Sequence, residues 1–114
     1  MSVKLTTRQV GDVTVIDAVG RITLGEGAST FRDSVRDLVS GGHKKLLLNL
    51  AEVSYIDSSG IGEMVSGFTT VTNQGGQVKL LNLTKRVKDL LQITKLYTVF
   101  EVFDDEAAAV RSFS

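Results

Sequence analysis

The chain has 114 residues, a hydrophobic fraction of 42%, and 13 Lys plus Arg balanced by 13 Asp plus Glu. That length suits one domain, expected over residues 1–114, and lets a chain bury roughly two-thirds of its unfolded surface. Zero net charge argues against nucleic acid as a direct partner, the absence of cysteine excludes disulfides and thiolate metal sites, and no apolar run is long enough for membrane insertion.

Val3, Leu5 and Thr7 alternate and predict a first strand, closed by a turn at Val10-Gly11-Asp12. Val13 to Val19 is rich in β-branched residues and predicts a second strand, hairpin-paired with the first. Gly20 to Gly27 reads as a loop. Ala28, Phe31, Val35, Leu38 and Val39 recur at helical spacing from about Glu26 to Ser40, where Gly41-Gly42 stops the helix. Leu46 to Leu50 is a continuous apolar run, the pattern of a central strand covered on both faces, and Ala51 to Ile56 reads as a connector.

Ile61, Met64, Val65, Phe68 and Val71 mark a second helix from about Ser59 to Asn73, ended by Gly75-Gly76. Val78 to Leu83 follows as a strand. Thr84 caps a third helix that buries Val87, Leu90 and Leu91. Val99 to Phe103 is expected as a short last strand, and Asp104 or Asp105 as the cap of a terminal helix through Arg111. The order β-β-α-β-α-β-α-β-α predicts an α/β fold: a mixed, mostly parallel sheet with right-handed crossovers and one antiparallel hairpin.

The chemistry concentrates in Asp57-Ser58-Ser59-Gly60-Ile61-Gly62, where a loop becomes a helix. A helix start carries unpaired N–H groups and the positive end of the dipole, so a phosphate is tolerated there. Ser58, with Ser59 as alternative, is therefore a candidate phosphoacceptor. The plainer reading is that Asp57, Ser58 or Ser59 caps the helix, and both readings can hold for different members of the trio. Gly60 and Gly62 cost roughly 1 kcal/mol each in a helix relative to Ala, which suggests that something approaches the backbone there.

Rival chemistries find less support. A G-x-S-x-G elbow needs glycine two places before the serine, where the chain has Ile56 or Asp57. The single histidine, His43, lies in a polar turn. No G-K-[ST] phosphate loop occurs, no metal-ligand set stands out, and Asp104-Asp105-Glu106 reads as a helix start. No cofactor is expected. Lys85-Arg86-Val87-Lys88 reads as a solvated helix face that could meet an acidic partner. With no signal-peptide core in the first nine residues, a cytoplasmic location is expected.

From Val3 to Phe113 the chain resembles a STAS domain of the bacterial anti-sigma-factor antagonist type. Asn49 to Gly62 carries the resemblance most specifically, supported by Gly20-Arg21-Ile22, Gly75-Gly76-Gln77-Val78 and Val87-Lys88-Asp89-Leu90-Leu91. The resemblance implies a non-enzymatic partner switch. The unphosphorylated protein binds an anti-sigma factor that is also a serine kinase, which frees a sigma factor. Phosphorylation at Ser58 ends binding, and a metal-dependent serine phosphatase reverses it. Arg21, Thr23, Asp57, Ser58, Ser59, Gly60, Ile61 and Gly62 would form the docking surface of a monomer or weak dimer. Family members often carry an acidic residue where this chain has Thr23, so the contact loop holds less negative charge here. The alternative is a scaffold subunit of a larger signalling or lipid-transport complex.

Overall fold

The computed structural model describes residues 3–113 and contains the expected nine elements in the expected order. They are β1 (Val3–Val10), β2 (Val13–Ile22), α1 (Glu26–Ser40), β3 (Lys45–Ile56), α2 (Ser58–Asn73), β4 (Gln77–Leu81), α3 (Lys85–Ile93), β5 (Val102–Phe103) and α4 (Glu106–Ser112). The sheet order is β1-β2-β3-β4-β5, the same as the chain order. β1 and β2 form an antiparallel hairpin, and every later pair is parallel.

Three right-handed crossovers that always step in the same direction put their helices on one face of the sheet. Phe31 and Val35 of α1, Met64 and Val71 of α2, and Val87 and Leu91 of α3 pack there against Ile16, Leu46, Leu48 and Leu80. The opposite face is covered only in part. Val13, Val15, Leu47 and Leu81 meet Ala109 and Phe113 of the α4 end of the chain. The continuous apolar run of β3 follows from this two-sided cover: Leu46 and Leu48 face the helical layer, Leu47 the other side.

Several boundaries differ from the sequence expectation. β2 runs on to Ile22, into the segment read as a loop, and β3 continues through the presumed connector to Ile56. Along β3 the buried positions after Leu50 are Val53 and Ile56, a spacing of three that matches no simple strand. Its cause is a pair of register shifts against β2, between Asp17 and Val19 and between Gly20 and Arg21, where β3 carries the extra residues. β4 stops at Leu81 because Asn82 turns into the left-handed region with φ 58°. The last strand shrinks to Val102–Phe103, since Val99 N–H donates to Leu96 O in a turn. Asp105, not Asp104, caps α4 by accepting from Ala108 N–H at 2.9 Å.

Polar ties hold α4 in place. Lys79 Nζ, buried in the sheet, donates to both the carbonyl and the hydroxyl of Ser112 at 2.9 Å. The same ammonium lies 4.8 Å from the Phe113 ring centre and 2.9 Å from Glu101 Oε2. Arg8 of β1 bonds both Asp17 of β2 and Glu106 of α4.

These pairs make the fold sensitive to acid. Arg8 holds the carboxyls of Asp17 and Glu106 below the usual range, and Lys45 does the same for Asp12. The unfolded chain therefore takes up protons at a higher pH than the fold. Stability is full at neutral pH and declines as pH falls below about 5. Replacing Arg8 by Met is expected to flatten that acid decline, as read from urea midpoints between about pH 7 and pH 3.

Candidate functional site

The site forms where the C-terminal ends of β2 and β3 deliver their chains into α1 and α2. Asp57, the first residue after β3, has an extended backbone and caps α2, its Oδ1 accepting from Gly60 N–H at 2.9 Å. Its Oδ2 accepts from Leu24 N–H at 2.9 Å, in the loop between β2 and α1. Its own N–H donates to Ile22 O. One carboxylate thus fastens the loop carrying Thr23 and Leu24 to the start of α2. Partial burial alone would push its pKa up, but the N–H groups of Leu24, Gly60 and Ser59 outweigh it and hold the carboxyl below the usual range.

With Asp57 as cap, the serines are released from that duty. Ser58 is the first residue of α2 and is exposed; Ser59 is half-buried. Neither hydroxyl has a hydrogen-bond partner among the described residues. The Ser58 oxygen is therefore open to solvent, attached to a rigid base.

The glycines differ sharply. A Cβ on Gly60 would lie 2.1 Å from Ile22 O and 2.7 Å from Ile56 Cγ1, so the end of β2 is what presses on that backbone. A Cβ on Gly62 would meet nothing within 4 Å. Gly60 and Ile61 are buried, Ile61 within the main core, and their side of the helix turns away from solvent. Ser58, Gly62 and the adjoining loop provide the exposed surface. Thr23 is half-buried and its carbonyl accepts from Ala28 N–H at 2.9 Å; Leu24 beside it is 79% exposed.

Residues that sequence reading left outside the site border it. An open groove of about 780 Å³ runs between the start of α2 and α3, with Ser58 and Ile56 on one side and Lys85, Arg86, Leu90 and Ile93 on the other. Ile93 is 76% exposed. Tyr55, at the end of β3, carries two guanidinium groups: Arg21 lies 5.1 Å and Arg86 5.0 Å from its ring centre. Only the short basic run of α3 hinted at Arg86. Its approach to Tyr55 depends on the β3 register, which no local pattern encodes.

The rival assemblies are not built. His43 precedes β3 whereas Ser58 follows it, and His43 Nδ1 lies 3.0 Å from Thr14 Oγ1. Glu63 faces Arg32 of α1 at 3.7 Å, which offsets its charge. No group of three or more His, Asp or Glu able to hold a metal ion occurs among the described residues. No helix there is long and apolar enough to cross a membrane.

Residues 4–109 match the family model of the STAS domain. The anti-sigma-B factor antagonist of Bacillus subtilis is 31% identical over 102 residues, covering 90% of this chain and 92% of that one. Among solved structures, a Thermotoga maritima protein superposes with a TM-score of 0.88 at 24% identity, over 96% of this chain and 93% of the other. The anti-sigma factor antagonist SpoIIAA in its unphosphorylated form gives a TM-score of 0.71 at 18% identity, over 96% and 100% of the two chains. These two likenesses establish the fold.

The contrast between the glycines is directly testable. Gly60→Ala is expected to destabilise the protein by about 1–3 kcal/mol through overpacking against Ile22. Gly62→Ala, in open space inside a helix, is expected to stabilise it by roughly 0.5–1 kcal/mol. Urea unfolding of the two variants measures both.

Proposed function

This chain belongs to the STAS-domain family, and on that premise we propose that it is an anti-sigma-factor antagonist controlled by phosphorylation of Ser58. It works as a regulatory binding protein, not an enzyme, in keeping with the antagonist role that the name of its Bacillus subtilis relative states. In this reading the unphosphorylated form docks on an anti-sigma factor that is also a serine kinase, and a sigma factor is released. The kinase then transfers a phosphoryl group from ATP to Ser58 Oγ, docking ends, and a metal-dependent serine phosphatase restores the starting form.

The observation that carries the proposal is the state of Ser58. Its hydroxyl is exposed and unpartnered because Asp57 has taken the capping role. Phosphorylation here requires no helix end to be dismantled. It adds about −1.5 to −2 charges to a surface that includes the exposed Leu24 and the groove beside α3. Ser59, half-buried on the next position, is the secondary acceptor. Arg21, Thr23 and Gly62 complete the proposed docking surface, with Gly60 and Ile61 supporting it from beneath.

A single modification is energetically sufficient. Repelling or orphaning one charge at a desolvated interface costs about 2–5 kcal/mol, or some thirty- to several-thousand-fold in affinity. Ser58→Ala is expected to retain the anti-sigma factor and Ser58→Asp to lose affinity by at least thirtyfold. Retrieval from native lysate with phosphosite mass spectrometry, followed by titration calorimetry, checks both. Equal retention of all partners, with no phosphate on Ser58, would instead support a scaffold role.

A further inference from the structure

The groove beside Ser58 has cations on one wall and the candidate phosphoacceptor on the other. Lys85 and Arg86, the first two residues of α3, line it opposite Ser58. The two cations differ in how they are engaged. Lys85 Nζ is committed to Asp89 Oδ2 at 2.9 Å. Arg86 has no carboxylate partner among the described residues; it rests on the Tyr55 ring, 5.0 Å from the ring centre. Arg21, likewise without a carboxylate, occupies the same ring at 5.1 Å. Two like charges on one aromatic ring repel each other, so the attachment of Arg86 is weak and a departure from the ring relieves repulsion.

We propose that Arg86 captures the phosphate of phosphorylated Ser58 across this groove, forming an ion pair within a single chain. The proposal rests on Ser58 being the modified residue. Arginine suits the task because its planar fork bonds two phosphate oxygens at once and is weakly hydrated. Asp57 does not compete for Arg86, since both its oxygens accept backbone N–H groups. The other charged groups facing the phosphate are Asp57 and Asp89, which oppose it, and Lys85, which assists while tied to Asp89; Glu63 on α2 is offset by Arg32. Tyr55, the remaining titratable group in the lining, keeps Arg21 when Arg86 swings away.

The mode of switching changes as a result. The phosphate would do more than add charge: it would bridge α2 to α3 and occupy the groove between them. A partner that inserts a side chain beside Leu90 and Ile93 would find the entrance blocked by an ion pair belonging to the protein itself.

Installing phosphoserine at position 58 during translation tests the capture whether or not a cellular kinase performs it. Failure of the kinase reading, seen as an unmodified Ser58 in cells, is thus separate from failure of the capture. Phosphorus NMR titration of the phosphorylated protein reads the second ionisation of the phosphate, normally near pH 6. Capture makes that group a stronger acid by roughly three- to tenfold than in Arg86→Gln, because the guanidinium favours the dianion. Lys88→Gln is the control: this exposed cation of α3 neither shares the ring nor lines the groove, so its loss should leave the ionisation nearly unchanged. A second reading needs no variant: the Arg86 side-chain N–H resonance should move on phosphorylation and follow the phosphate titration. Equal acid strengths in wild type and Arg86→Gln, equal shifts in Arg86→Gln and Lys88→Gln, or an Arg86 resonance indifferent to the phosphate would each overturn the proposal.

Discussion

The carboxylate of Asp57 binds two segments that are remote in sequence. One oxygen completes the first turn of α2 and the other accepts the Leu24 N–H of the preceding crossover loop. Both bonds are charge-assisted, and partial burial keeps water from competing with them. The geometry works only because the backbone at Gly60 can press against Ile22 O, where any side chain would collide. Close approach and carboxylate bridge require each other. Together they set the position of the Ser58 hydroxyl relative to the loop and the groove. The site is accordingly stiff at its base and open at its rim.

The architecture explains why the open rim faces where it does. Because the strands lie in sequence order, α1, α2 and α3 all cover one face of the sheet, and α4 covers only part of the other. Near the C-terminal ends of β2 and β3 the second face is uncovered. Arg21 and Tyr55, directly paired across those strands, occupy it together with Arg86 from the start of α3. The register shifts in β3 decide this outcome. They let Tyr55 point outward and Ile56 inward just before Asp57 begins the helix.

Local chemistry was legible in the sequence where it acts locally. α1 could be delimited from Glu26 to Ser40 because its apolar stripe is regular and glycines follow it. Thr84 as the cap of α3 was equally plain. The second half of β3 was hidden because its buried positions step by three, which fits neither strand nor helix spacing. Likewise, glycine at position 60 announced a close approach but not its source, since Ile22 lies 38 residues earlier. The Arg86 side of the groove depends on the pairing of β3 with β4 and on the turn at Asn82, which set where α3 begins. The motif at residues 57–62 marked the centre of the site, whereas its borders are a product of tertiary structure.

The match between strand order and chain order also bears on how the protein is made. Each strand after the first adds to an edge that has already been synthesised, so the sheet can grow from one side as the chain leaves the ribosome. No strand has to be inserted between two existing neighbours, and no earlier edge must be held open for a later segment. The last element behaves differently. α4 crosses to the uncovered face and is fixed by Lys79 from β4 and by Arg8 from the first strand, 98 residues from Glu106. Growth by edge addition therefore ends in a closing step that joins β1 to α4, and it waits until α4 itself has been synthesised.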